Sequence, residues 1–120
     1  MWYAANIIMY VKFKEGLQDK YPIWENIVLI EAKSEDEAYT KACKIGSQSE
    51  GDSQGTLLWD ERPATWSLGG IRKIIKCDNS EERPSDGTEI TYSQMEVYNE
   101  DDFIKLVKGE AVNIYYEEEF

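Results

Sequence analysis

A chain of 120 residues that is 42% hydrophobic and 12% aromatic carries enough apolar material for one packed domain, and 31% charged residues do not tip it into disorder. A net charge of −11 excludes a surface that seeks phosphate backbones or anionic membranes, and the lack of histidine excludes Ser-His-Asp and Cys-His nucleophile systems and the commonest zinc ligand. One domain over residues 1–120 should bury roughly two-thirds of its unfolded surface, with no metal or disulfide needed as a staple.

Trp2 to Phe13 alternates as a long strand. Tyr3, Ala5, Ile7, Met9, Val11 and Phe13 form a wholly apolar face turned to the core, with Trp2, Ala4, Asn6, Ile8, Tyr10 and Lys12 opposite. A polar loop from Lys14 to Lys20 and the step Tyr21-Pro22 lead into a second strand, about Ile23 to Ala32, completing a hairpin. Its run Ile27-Val28-Leu29-Ile30 suits a strand covered on both faces.

Ser34 then opens a helix. Its hydroxyl can cap the first turn while Glu37 reaches back to the amide of Ser34. Ala38, Ala42 and Ile45 make an apolar stripe beside Tyr39, and Gly46 is a left-handed stop, so the helix should run over about 35–45. Acids in the first turn and Lys41 and Lys44 near the end complement the helix dipole.

Ser47 to Gly55 has the composition of an exposed loop without an apolar anchor. Thr56 to Trp59 reads as a short strand, Asp60 to Pro63 as a turn, and Ala64 to Cys77 as a longer strand. The pair Gly69-Gly70 predicts a bulge or bend within it. After the polar loop from Asp78 to Gly87, Thr88 to Tyr98 reads as another strand. Asn99 caps a short helix over about 100–108, with Phe103, Leu106 and Val107 as its buried face and Gly109 as its stop. Ala111 to Tyr116 is a last strand.

This order predicts an α+β fold: a mainly antiparallel twisted sheet of five or six strands with one longer and one short helix packed on it. A doubly wound fold would need a helix between most strands, and only two are on offer.

Several short motifs together resemble one bacterial family. Trp2-Tyr3-Ala4-Ala5, Trp24-Glu25-Asn26, the step from Ala32 to Ala38, Gly70-Ile71 and the run Gly87-Thr88-Glu89-Ile90-Thr91-Tyr92 are similar to the domain of unknown function 4288, over about residues 2–92. The resemblance implies a small cytoplasmic bacterial domain with no assigned activity and no catalytic set to carry over.

The remaining chemistry is sparse. Cys43 and Cys77 are far apart and in no CxxC arrangement, which in a reducing compartment fits two small packed thiols, with a disulfide as the alternative. No phosphate-cradling glycine motif occurs. Asp78 to Glu89 has the length of a calcium loop, but Arg83 stands where the turn requires glycine, so no metal or cofactor is expected. No apolar run is long enough to span a bilayer and no basic segment precedes the apolar start, which points to the cytoplasm. Trp24, Trp59 and Trp66 fit core packing, and an exposed Trp59 or Trp66 would instead suit a protein-binding hot spot.

Charge placement is the strongest surface signal. Residues 1–77 carry eleven acids and ten bases, whereas residues 78–120 carry thirteen acids against Arg83, Lys105 and Lys108. This supports a non-enzymatic binding module, of an immunity, antitoxin or regulatory kind, that engages a basic protein partner through Asp78, Glu81, Glu82, Asp86, Glu89, Glu100, Asp101 and Asp102. Two other readings stay open beside it, apart from a purely solubilising charge. The chain could form a homodimer through an edge strand carrying Val112, Ile114 and Tyr116, or use carboxylates and tyrosine as an enzyme. Nucleic acid and membrane are not expected partners.

Overall fold

The computed structural model describes residues 1–117 and has an α+β fold. Strands β1 (Trp2–Phe13), β2 (Ile23–Glu31), β3 (Leu58–Trp59) and β4 (Arg62–Lys76) form one antiparallel sheet in the order β2-β1-β4-β3. Strands β5 (Met95–Glu96) and β6 (Tyr115–Tyr116) form a separate antiparallel pair, and helices α1 (Glu35–Gln48) and α2 (Glu100–Lys108) complete the fold. The expected single sheet of five or six strands is thus divided. Among residues 77–94 no strand forms, so nothing carries the ladder from β4 onward.

β1 is the central strand, paired to β2 on one side and to β4 on the other. All six residues of its expected core face are buried. On its opposite face Ala4 and Asn6 are buried too. Helix α1 packs its buried Ala38 and Ala42 on that core face, over Ala5, Ile7 and Ile30, with Leu68 and Ile71 of β4 alongside. Alanines permit this close approach of helix to sheet.

β2 lies at the edge, paired among the described residues with β1 alone, and its apolar run is not covered on both faces. Ile27 is 48% exposed and Leu29 43% exposed, while Ile30 is buried. The glycine pair of β4 falls where expected: the β1–β4 register slips between Ile8 and Met9, opposite Gly69-Gly70, and again between Asn6 and Ile7.

Ser34 caps α1, accepting from the Glu37 N–H at 3.1 Å. Glu37 reaches back to the N–H of Lys33 (3.3 Å) instead of that of Ser34. The helix passes through Gly46 and ends at Ser49 in a right-handed conformation, three residues beyond the expected stop. Gly46 sits where helix and sheet approach closely: a Cβ there would lie 2.7 Å from Leu68 Cδ1. The loop from Ser49 to Gly55 has polar anchors, since Glu50 Oε2 accepts from the Leu68 N–H (2.9 Å) and Asp52 pairs with Lys14 (2.6 Å).

The C-terminal arm differs most from expectation. Thr88 to Tyr98 forms a strand only at Met95–Glu96, and Ala111 to Tyr116 only at Tyr115–Tyr116, the two pairing with each other. Helix α2 has its Asn99 cap and its left-handed Gly109 stop, but Phe103, Leu106 and Val107 are not a buried face: no residue of α2 is buried. The radius of gyration is 17.1 Å, against about 14 Å for a compact chain of this length.

Candidate functional site

The arm is held to the sheet by polar groups on the face away from α1. Asn6 is 1% exposed in an otherwise apolar stretch of β1. Its Nδ2 donates to Glu25 Oε2 (3.0 Å), and its Oδ1 accepts from the Thr91 hydroxyl (3.3 Å). Arg72 Nη1 donates to the same Glu25 oxygen (3.1 Å) and the guanidinium lies 4.3 Å from the Tyr116 ring centre. Lys73, also buried, donates to the Tyr92 carbonyl and to Ser93 Oγ (3.4 Å). Residues 88–93 therefore cross the sheet as a strap fastened by side chains, where a ladder strand was expected. A buried amide and a buried ammonium are tolerable only with such partners. Sequence reasoning missed this clamp, and its one legible signal was Asn6, a polar residue inside an apolar strand.

The strap opens a cleft of about 320 Å³ between itself and the end of β4, lined by Lys76, Asp78, Glu89 and Tyr92 with Ile75, Ile90 and Thr91. Two of the predicted acidic residues, Asp78 and Glu89, meet here, and the Asp78 N–H donates to the Glu89 carbonyl (3.2 Å). Glu81, Glu82 and Asp86 are exposed on the loop before the strap, and Glu100, Asp101 and Asp102 lie apart from them in the first turn of α2. Asp102 is occupied locally, since Asn99 Nδ2 donates to it (3.1 Å). All five ion pairs among the described residues lie within residues 1–76: Lys14–Asp52, Lys20–Asp60, Lys41–Glu37, Arg62–Asp19 and Arg72–Glu25. The predicted acidic set stands outside them.

A second concavity lies on the opposite face. Trp24 packs edge-on against Trp66 (ring centres 4.8 Å) and Trp59 (5.5 Å), and the three line a cavity of about 390 Å³ with Val11 and Leu57. Trp59 and Trp66 are half-buried, and Trp24 is 39% exposed. Asp60 and Glu61, both at positive φ (51° and 63°), make the tight turn that returns β3 to β4 and sets Trp59 over the cavity.

Of the residues singled out for self-association, Val112 and Ile114 are half-buried and lie outside any strand, and Tyr116 is held under Arg72. Of the expected strand, only Tyr115–Tyr116 forms, paired with Met95–Glu96. Both cysteines are free thiols. Burial pushes the Cys77 thiol above its ordinary value, which disfavours a reactive thiolate. Among the described residues no group of three metal-ligating side chains converges, and no helix is long and apolar enough to cross a membrane.

Residues 2–93 match a family model described as "Domain of unknown function (DUF4288)". No curated protein and no solved structure matches the chain. The matched span takes in the four-stranded sheet, α1 and the strap, and stops before β5, α2 and β6. Over that span, three-quarters of its length, the chain belongs to the DUF4288 family.

Proposed function

We propose that the chain is a non-enzymatic binding module of the cytoplasm that takes a basic protein partner on its acidic arm. One observation carries this reading: among the described residues the five ion pairs lie within residues 1–76, while Asp78, Glu81, Glu82, Asp86, Glu89, Glu100 and Asp101 are exposed and outside them. An unneutralised acidic surface attracts a cationic partner over a Debye length and selects against acidic ones. The cleft where Asp78 and Glu89 meet, with Lys76 also in its lining, lies on the matched part of the chain. Acid/base catalysis is less well supported, because it needs two carboxylates in contrasting environments and both of these are exposed.

The test is capture from the native cell at low and high salt, with the wild-type chain and an Asp78→Asn/Glu89→Gln variant. A partner retained at low salt, released at high salt and weakened by the variant is the expected result. No partner at either salt would leave the charge a solubilising role alone.

A further inference from the structure

Trp24, Trp59 and Trp66 wall a cavity instead of filling the core beside Val11. Its volume, about 390 Å³, falls within the roughly 300–1,000 Å³ of small-ligand sites. Trp24 comes from edge strand β2 and Trp59 from edge strand β3, and the two meet over the central strands, where Val11 of β1 lies opposite Trp66 of β4. The plane of Trp24 stands at 86° to that of Trp59 and at 73° to that of Trp66. A flat ring cannot lie face-on to Trp24 and to either of the others at once. Walls set nearly at right angles suit a rounded group that touches all of them.

We propose that this cavity is an aromatic cage for a quaternary ammonium group, on the face away from the strap and separate from the acidic arm. Indole faces attract a cation placed within about 6 Å of the ring centre, and the attraction grows when the site excludes water. Three further features favour positive charge. Helix α1 ends on the cavity: its C-cap, Ser49, is part of the lining, and no base lies in its last turn, so the negative end of the helix dipole adjoins the site without a counter-charge. Among the described residues no lysine or arginine lines the cavity. Lys14 and Lys20, which reach its rim, are paired there with Asp52 and Asp60, whereas Glu50 and Glu61 are exposed and outside the ion pairs. A rim of negative potential over an apolar, aromatic interior selects a cation wrapped in methyl groups over a bare ammonium, which would lose its hydration shell on entry. The loop that closes the cavity is tied in place, since Gly51 and Trp66 exchange backbone hydrogen bonds (3.0 and 2.7 Å).

Titration of the full chain with choline, read by tryptophan fluorescence, tests this, because three of the four tryptophans line the cavity. The expected result is a saturable change, with dimethylbutanol, in which carbon replaces the nitrogen, bound about tenfold more weakly. Trp24→Leu keeps apolar bulk at an exposed position and should weaken choline by a similar factor, circular dichroism confirming the fold. Ser53→Lys leaves the indoles in place and should weaken choline without weakening the alcohol. A peptide carrying trimethyllysine, beside its unmethylated twin, forms a second arm: tighter binding than choline assigns the group to a protein side chain, and weaker binding to a free small molecule, and either supports the cage. No saturable change with choline or the methylated peptide overturns the proposal. So does dimethylbutanol bound as tightly as choline, which needs no variant to measure, or choline binding indifferent to both substitutions.

Discussion

Thr91 Oγ1 donates to Asn6 Oδ1 across 3.3 Å, joining residues 85 positions apart and fastening the strap to the central strand. Asn6 is the only side chain of β1 that bonds to both β2 and the strap, through Glu25 and Thr91. Asn6→Leu removes the amide and with it the bonds to Thr91 and Glu25, both of which can turn to solvent, Glu25 also keeping its bond from Arg72. The expected cost is about 1–3 kcal/mol by urea unfolding, from two lost hydrogen bonds at about 0.5–1.5 kcal/mol each. Thr91→Val should cost less, and the double variant should fall short of the sum because the two share one bond.

Gly46 and Leu68 set a limit on the helix-to-sheet distance. Gly46→Ala gains about 1 kcal/mol of helix propensity but brings a methyl to 2.7 Å from Leu68 Cδ1, a movable side-chain tip. The two effects should nearly cancel. Gly46→Val adds bulk against Leu68 and Ile7 and should lower stability by about 1–3 kcal/mol. A midpoint raised in Gly46→Ala and not lowered in Gly46→Val would show that the contact carries no strain.

Lys14 and Asp52 supply a pH test. The Lys14 ammonium first, and the Gly55 N–H second, hold the Asp52 carboxyl below its ordinary 3.8. A lowered folded-state value means that the pair favours the folded chain above pH about 3.8 and loses that effect as pH falls through the depressed value. Carboxyl carbon shifts in an acid titration should place Asp52 below 3.8. Lys14→Gln should move it up part of the way, the Gly55 bond remaining, and high salt should do the same in the wild type.

Legibility in the sequence followed how local the determinant was. Alternation in Trp2–Phe13, the Ser34 and Asn99 caps and the Gly109 stop depend on neighbours within a few positions, and those local features form as read. Gly46 was misjudged because glycine signals both a helix stop and a close approach, and only Leu68, over twenty positions away, decides between them. The run from Ile27 to Ile30 suggested a strand covered on both faces, since an apolar run does not say whether a layer packs on its second face, and Ile27 and Leu29 stay exposed there. Thr88 to Tyr98 has strand-forming residues, but Asn6 and Lys73 engage its strap by side chain, a tertiary effect that overrides local preference. The acidic set was readable as composition. That Asp78 and Glu89 would share a cleft while Glu100 to Asp102 stood elsewhere depends on the path of the strap.

The edge position of β2 gives the net charge a second consequence. Ile23, Ile27 and Leu29 lie exposed on a nine-residue strand whose outer side has no neighbouring strand among the described residues, the arrangement from which strand-to-strand stacking and fibre growth begin. β2 itself carries only Glu25 and Glu31 as guards, so what keeps one molecule from adding to the next is long-range repulsion between chains of charge −11. Acidification toward the isoelectric point, or concentrated salt, removes that repulsion while leaving the sticky border in place, and colloidal stability should fail there well before the fold does.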